Sequence, residues 1–97
     1  MNYQVFWTEE ALANVESIIQ YISSTWMERE VLNFKRKLSE QINIISRFPN
    51  VFPASTFAPR LRKAVLTKQT TIFYEVKEQA IYIVYLFDSR QNPQNIR

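Results

Sequence analysis

Glycine, cysteine and histidine are all absent from the 97 residues of this chain. Without glycine, neither common phosphate-cradling loop can be built, because both need backbone that approaches a phosphate with no Cβ in the way, so nucleotide cofactors held in that manner are excluded. Without cysteine there is neither a disulfide nor a thiol nucleophile, and without histidine there is no imidazole acid-base chemistry; both losses remove the usual zinc sites. No metal and no cofactor is expected. Long apolar runs are missing too: nothing approaches the roughly 18 consecutive apolar residues of a membrane span. Met1-Asn2-Tyr3-Gln4 opens with neither a basic cluster nor an apolar signal core. A soluble, cytoplasmic protein with no membrane partner is expected.

What remains suffices for one core. A 46% hydrophobic chain of 97 residues predicts a single domain spanning residues 1–97, able to bury roughly 60 to 70% of its unfolded surface. The net charge of +3 conceals a division along the chain. Residues 1–46 carry four basic and six acidic side chains, a net −2, whereas residues 47–97 carry eight basic and three acidic ones, a net +5. The second half therefore holds the charge that would attract an anionic or nucleic-acid-associated partner.

Tyr3-Gln4-Val5-Phe6-Trp7 is β-branched and aromatic and predicts a first strand. Thr8 follows as an N-cap, with Glu9 and Glu10 in the first helical turn where negative charge suits the helix dipole. Leu12, Val15, Ile18, Ile19, Ile22 and Trp26 recur every three or four residues as one buried stripe, and Ser23-Ser24-Thr25 predicts a break. A second stripe, Val31, Phe34, Leu38, Ile42 and Ile45, runs to about Phe48, where Pro49 stops the helix. From Asn50 to Arg60 the prolines predict an ordered loop anchored by Val51, Phe52 and Phe57. Three strand-like runs complete the chain: Leu61 to Leu66, Thr70 to Val76 and Ala80 to Phe87. Ile81 to Phe87 is apolar on both sides and should be central. The predicted fold is α+β: an N-terminal strand, an α-helical hairpin on one face of an antiparallel sheet, then a three-strand antiparallel meander.

Pro49-Asn50-Val51-Phe52-Pro53, Leu61-Arg62-Lys63-Ala64-Val65, Ile72-Phe73-Tyr74-Glu75-Val76 and Phe87-Asp88-Ser89-Arg90-Gln91-Asn92-Pro93, in that order, resemble the RelE/ParE family of toxins from bacterial type II toxin-antitoxin modules. The resemblance covers essentially the whole chain. It implies a toxin, of the kind also linked to plasmid stabilization, held inactive by a cognate antitoxin encoded beside it. It also implies one of two targets, the ribosome with its messenger RNA or DNA gyrase.

The chemistry separates these targets. Cleaving RNA through its 2′-hydroxyl needs a proton acceptor, a proton donor for the leaving oxygen, and cations for the phosphate. Arg90 matches the arginine that ribonuclease members carry past the last strand, and Arg62 and Lys63 lie in the basic strand. Thr71, however, stands where many such members have a second arginine, and the family's C-terminal tyrosine or histidine has no counterpart. Arg62, Lys68 and Arg90 would form the catalytic set of an RNase, with Lys68 as a proton acceptor if its pKa were depressed. That set is incomplete, so ParE-like inhibition of DNA gyrase is expected, with a ribosome-dependent mRNA interferase as the alternative and a non-toxic binding module of the same fold as a third. Arg60, Arg62, Lys63, Lys68 and Arg90 are the candidate target-binding residues.

Each candidate has a plainer reading. Lys68 suits a solvated turn, Arg90 a surface ion pair with Asp88 or Glu75 worth about 0 to 1 kcal/mol, and Arg60, Arg62 and Lys63 a charged edge strand. Arg62 and Lys63 alternate in direction, with Arg60 placed to join Arg62 on one face. Tyr74, Tyr82 and Tyr85 read as sheet core before they read as base-stacking platforms, and Lys35-Arg36-Lys37 as the wet face of a helix.

Overall fold

A computed structural model describes residues 2–90. The elements follow in the order β1 (Gln4–Trp7), α1 (Glu9–Thr25), α2 (Glu28–Arg47), β2 (Arg62–Val65), β3 (Thr70–Lys77) and β4 (Ala80–Asp88). The meander of β2, β3 and β4 is antiparallel as the sequence predicts, but β1 runs parallel to β4, so the sheet is mixed, with strand order β1-β4-β3-β2. The intervening hairpin supplies the long crossover that a parallel pair requires. Among the described residues no helix is long and apolar enough to cross a membrane.

Thr8 joins strand to helix. Its hydroxyl accepts from Ala11 N–H at 3.0 Å, capping α1, and lies 2.6 Å from the Val84 carbonyl, to which it donates. That carbonyl sits at an irregularity in β4: Phe73 faces Tyr85, yet the next residue, Tyr74, faces Ile83, leaving Val84 unpaired. The extra residue resets the alternation, so Ile81 and Ile83 below it and Leu86 and Asp88 above it are all buried. A period-two reading cannot place both pairs on one face. The bulge does.

The core lies between the hairpin and one sheet face, with Ile18, Ile22, Phe34 and Ile45 from the helices against Ile72, Tyr74, Ile81, Ile83 and Leu86 from the sheet. Two members of the predicted first stripe are not in it: Leu12 is 55% and Trp26 54% exposed. Ala11 is buried in place of Leu12, because the stripe rotates toward β4 as the helix begins. The predicted break at Ser23-Ser24-Thr25 also moves. The helix runs through Thr25, Ser24 returns its hydroxyl to the Tyr21 carbonyl at 3.0 Å, and the chain reverses at Trp26-Met27.

In the proline loop only Phe52 of the three expected anchors packs on the core, edge-on to Tyr74; Val51 and Phe57 are 66% and 81% exposed. Polar bonds hold this loop instead. Ser55 N–H donates to the Leu61 carbonyl at 2.8 Å and Lys63 N–H to the Pro53 carbonyl at 2.9 Å.

The absence of glycine has one local consequence. Glu78, in the turn joining β3 to β4, has φ 55°, a left-handed conformation in which Cβ crowds the following carbonyl. Glu78→Gly is expected to stabilise the protein by about 0.5 to 1 kcal/mol, the relieved strain exceeding the entropy that glycine adds to the unfolded chain. A rise in chemical denaturation midpoint with an unchanged slope is the expected readout.

Candidate functional site

Four of the five candidate cations divide between the two ends of the sheet, and Lys63 lies within β2 opposite Phe73. Arg62 opens β2 opposite Tyr74, and Arg60 lies just before it, whereas Lys68 lies in the β2–β3 turn and Arg90 follows β4. Thr70 pairs with Asp88 and Ser89 N–H donates to the Gln69 carbonyl at 2.9 Å, so Lys68 and Arg90 belong to one end, away from Arg60 and Arg62. The set Arg62, Lys68 and Arg90 therefore does not converge on one reacting group.

At the lower end both arginines are engaged. Arg62 donates to the carbonyls of Phe52 at 2.5 Å and Asn50 at 3.4 Å, fixing the proline loop. Arg60 pairs with Glu75 at 3.2 Å. The expected sharing of a face by Arg60 and Arg62 is overturned, because Glu75 alternates with Tyr74 along β3 and draws Arg60 to the opposite side. Tyr74 is fully buried, its hydroxyl donates to the Pro49 carbonyl at 2.6 Å, and burial pushes its pKa up to about 12 against the pull of Arg62. It is a core residue and unavailable for stacking on a base. Tyr82 and Tyr85 stand on the sheet face away from the helices, stacked on Phe6 and Phe73 at 5.4 and 4.6 Å.

At the upper end Arg90 forms a two-pronged pair with Asp88: Nε lies 3.1 Å from Oδ1 and the terminal nitrogen 2.7 Å from Oδ2, and its own N–H donates to Oδ1 at 2.9 Å. Thr70 adds its hydroxyl to Oδ2 at 2.6 Å, and Tyr21 of α1 presents its ring 5.8 Å from the guanidinium carbon. The Asp88 side chain is fully buried and that of Arg90 24% exposed, so this is no surface pair. Burial pushes the Asp88 carboxyl up, but the hydrogen bonds from Arg90 and Thr70 outweigh it and hold the pKa below the ordinary value. The Arg90 pKa is correspondingly raised, by its bond to Asp88 against a smaller desolvation.

Around this pair lies a cavity of about 310 Å³ lined by Trp26, Glu30, Asn33 and Lys37 of the hairpin, Thr67 and Gln69 of the β2–β3 turn, and Arg90. Glu30, Asn33 and Lys37, spaced by three and four, lie on one side of α2, and Trp26 joins them from the turn between the helices. Lys37 is exposed, as the wet-face reading expects, and also lines this cavity, while Arg36 pairs with Glu40 at 3.2 Å. Lys63 and Lys68 are exposed and make no ion pair among the described residues. The upper end thus combines an exposed indole, two amides and the cations of Lys37 and Lys68 beside a neutralised arginine. Such a surface can bind an anionic partner through its cations, beside the Glu30 carboxylate, whose Oε1 is buried without a hydrogen-bond partner among the described residues. Among the described residues no group of carboxylates could hold a metal ion.

A family model described as the ParE toxin of the type II toxin-antitoxin system, parDE, matches residues 5–93. No curated protein sequence matches the chain. Among solved structures, the chromosomal ParDE toxin-antitoxin system from P. aeruginosa aligns with TM-score 0.77 and 18% identity, covering 89% of this chain and 95% of that one. The RelBE2 toxin-antitoxin complex from Mycobacterium tuberculosis aligns with TM-score 0.64 and 13% identity over 91% and 99% of the two chains. A YoeB/ParE toxin from Agrobacterium tumefaciens gives TM-score 0.64 and 16% identity over 88% and 96%.

Proposed function

From the premise that this chain belongs to the ParE toxin family of type II toxin-antitoxin systems, we propose that it inhibits DNA gyrase by binding and is neutralised by a cognate antitoxin. The observation that carries this reading is the state of Arg90. An RNase would use it as free positive charge at a phosphate, yet here the guanidinium is spent on a buried carboxylate. Arg62 is spent on loop carbonyls, and Lys68 lies at the opposite end of the sheet from it. Cations that do not converge support obstruction by binding over cleavage. The similarity to structures of the ParDE system and the RelBE2 complex supports an antitoxin as the natural partner.

Brief induction in cells is expected to provoke a DNA-damage response while messenger RNA stays intact, and the purified protein is expected to inhibit gyrase supercoiling until the product of the adjacent gene is added. Primer extension on a translated reporter supplies the opposing outcome. Cleavage at codons within minutes of induction, with gyrase unaffected, would establish the RNase reading instead.

A further inference from the structure

The two edges of the sheet are treated differently. The β2 edge carries Arg62 and Lys63 and is covered: Lys63 N–H is bonded to Pro53, Ala54 bridges to Arg62, and the Gln41 amide donates to the Val65 carbonyl at 3.0 Å. Charge and cover are the ordinary protections of an edge against pairing with another chain. The β1 edge has neither. Gln4-Val5-Phe6-Trp7 contains no charge and no proline. Gln4 and Thr8 N–H donate into β4, to the carbonyls of Gln79 at 3.4 Å and Ile83 at 3.1 Å, whereas Tyr3 N–H points away, to Ser46 at 2.8 Å. By this alternation Val5 and Trp7 direct their N–H and C=O groups outward, and among the described residues no partner meets them.

We propose that β1 is a dimerisation edge, occupied by β1 of a second copy of this chain in antiparallel register about a two-fold axis beside Phe6. The strand is its own complement in that register. Val5 of each copy faces Trp7 of the other as a hydrogen-bonded pair, satisfying the outward backbone groups of both residues in both chains. Phe6 then faces Phe6 as the close, non-hydrogen-bonded pair, with Cα atoms about 4.5 Å apart. Phe6 is 42% exposed on the helix-free face and already stacked on Tyr82, itself 36% exposed. Closing the seam places four rings in line, Tyr82 and Phe6 of one copy continuing into Phe6 and Tyr82 of the other. No like charges are brought together within the strand. Pairing ends naturally at each side, because Tyr3 N–H is taken by Ser46 and Thr8 turns into α1.

The test is the mass of the purified full-length chain by light scattering across a dilution series, with β1 amide protection measured by hydrogen exchange. Twice the 11.6 kDa of one chain, falling to one on dilution, is expected. Phe6→Lys sets two ammonium groups face to face on the axis and is expected to weaken the dimer at least about tenfold. Phe57→Lys, on a residue 81% exposed in the proline loop, should leave it unchanged. Mixing Phe6→Lys with Phe6→Glu is expected to restore a dimer as the mixed species, which neither variant forms alone. A wild-type monomer at 100 µM, on the order of the weakest specific association, overturns the proposal. So does a Phe6→Lys dimer as tight as wild type, or failure of the mixed pair while both variants remain folded by circular dichroism. Protection of Val5 and Trp7 that appears only when the antitoxin is added assigns the edge to the antitoxin and overturns the second copy.

Discussion

Arg90→Ala is expected to destabilise the protein by about 3 kcal/mol and to shrink the loss of stability that Asp88 contributes as pH falls in the acid range. An exposed ion pair would cost about 0 to 1 kcal/mol. The larger figure follows from the partner, since the Asp88 side chain is fully buried and Arg90 supplies two of its hydrogen bonds and its opposite charge. In the wild type the folded Asp88 pKa lies below its unfolded value of about 3.9. Its contribution is therefore complete above that unfolded value and is lost as pH falls through the folded one. With the guanidinium gone, its hydrogen bonds and its charge no longer oppose desolvation, and only the bonds from Thr70 and the backbone N–H at position 90 remain to do so. The folded pKa then rises, so less of the Asp88 contribution is lost as pH falls through the carboxylate range. Denaturant melts between pH 3 and pH 7, a window around the unfolded carboxylate value of about 3.9, give the two slopes directly. Equal slopes would show that Arg90 does not govern Asp88.

The same pair decides what a loss of toxicity means. Asp88→Asn combined with Arg90→Ala removes both charges and is expected to recover much of the stability lost in the single variant. A double variant that is folded but harmless assigns Arg90 a direct role at the target. One that regains toxicity assigns it to the fold alone.

Most of the architecture could be read from residue order, because apolar periods and caps are local. Thr8, Glu9 and Glu10 announce the first helix, and Ile81 to Phe87, apolar on both faces, announces a central strand. What was not legible depends on contacts distant in sequence. Whether β1 lies parallel or antiparallel is set by a partner some 75 positions away, as in the Gln4–Ala80 pairing. The Val84 bulge is invisible because the hydroxyl that meets its carbonyl belongs to Thr8, far away in sequence. The site suffered most from the same limit. Arg62 looks like a free cation in the sequence, and although Asp88 is readable there as a partner for Arg90, only the fold reveals the carbonyls that occupy Arg62 and the burial of the Asp88 carboxylate. Charge is readable from sequence, whereas its burial and its long-range partners are not.

That distinction selects the residues for the largest functional effect, the double charge reversal Lys37→Glu with Lys68→Glu. Both lysines are exposed and at the same end of the molecule, Lys37 in the cavity wall and Lys68 between Thr67 and Gln69 of its rim, with no ion pair among the described residues. Charges left free by the fold cost little to replace, so the stability change should stay within about 0.5 kcal/mol. Binding to an anionic target should suffer far more, since each reversal exchanges attraction for repulsion. At about 1.4 kcal/mol each, two reversals amount to roughly a hundredfold weaker inhibition. Lys35→Glu is the matched control: it is the same change on the same helix, but that residue lines the groove beside Trp7, away from the cavity. Growth inhibition and gyrase inhibition measured at several salt concentrations should show the double variant losing both potency and salt sensitivity, as expected when two cations leave a charged interface. If the double variant kills as efficiently as wild type, the binding surface does not lie at this end of the sheet. Lys63, the other candidate cation without an ion pair among the described residues, then becomes the residue on which to build the next surface.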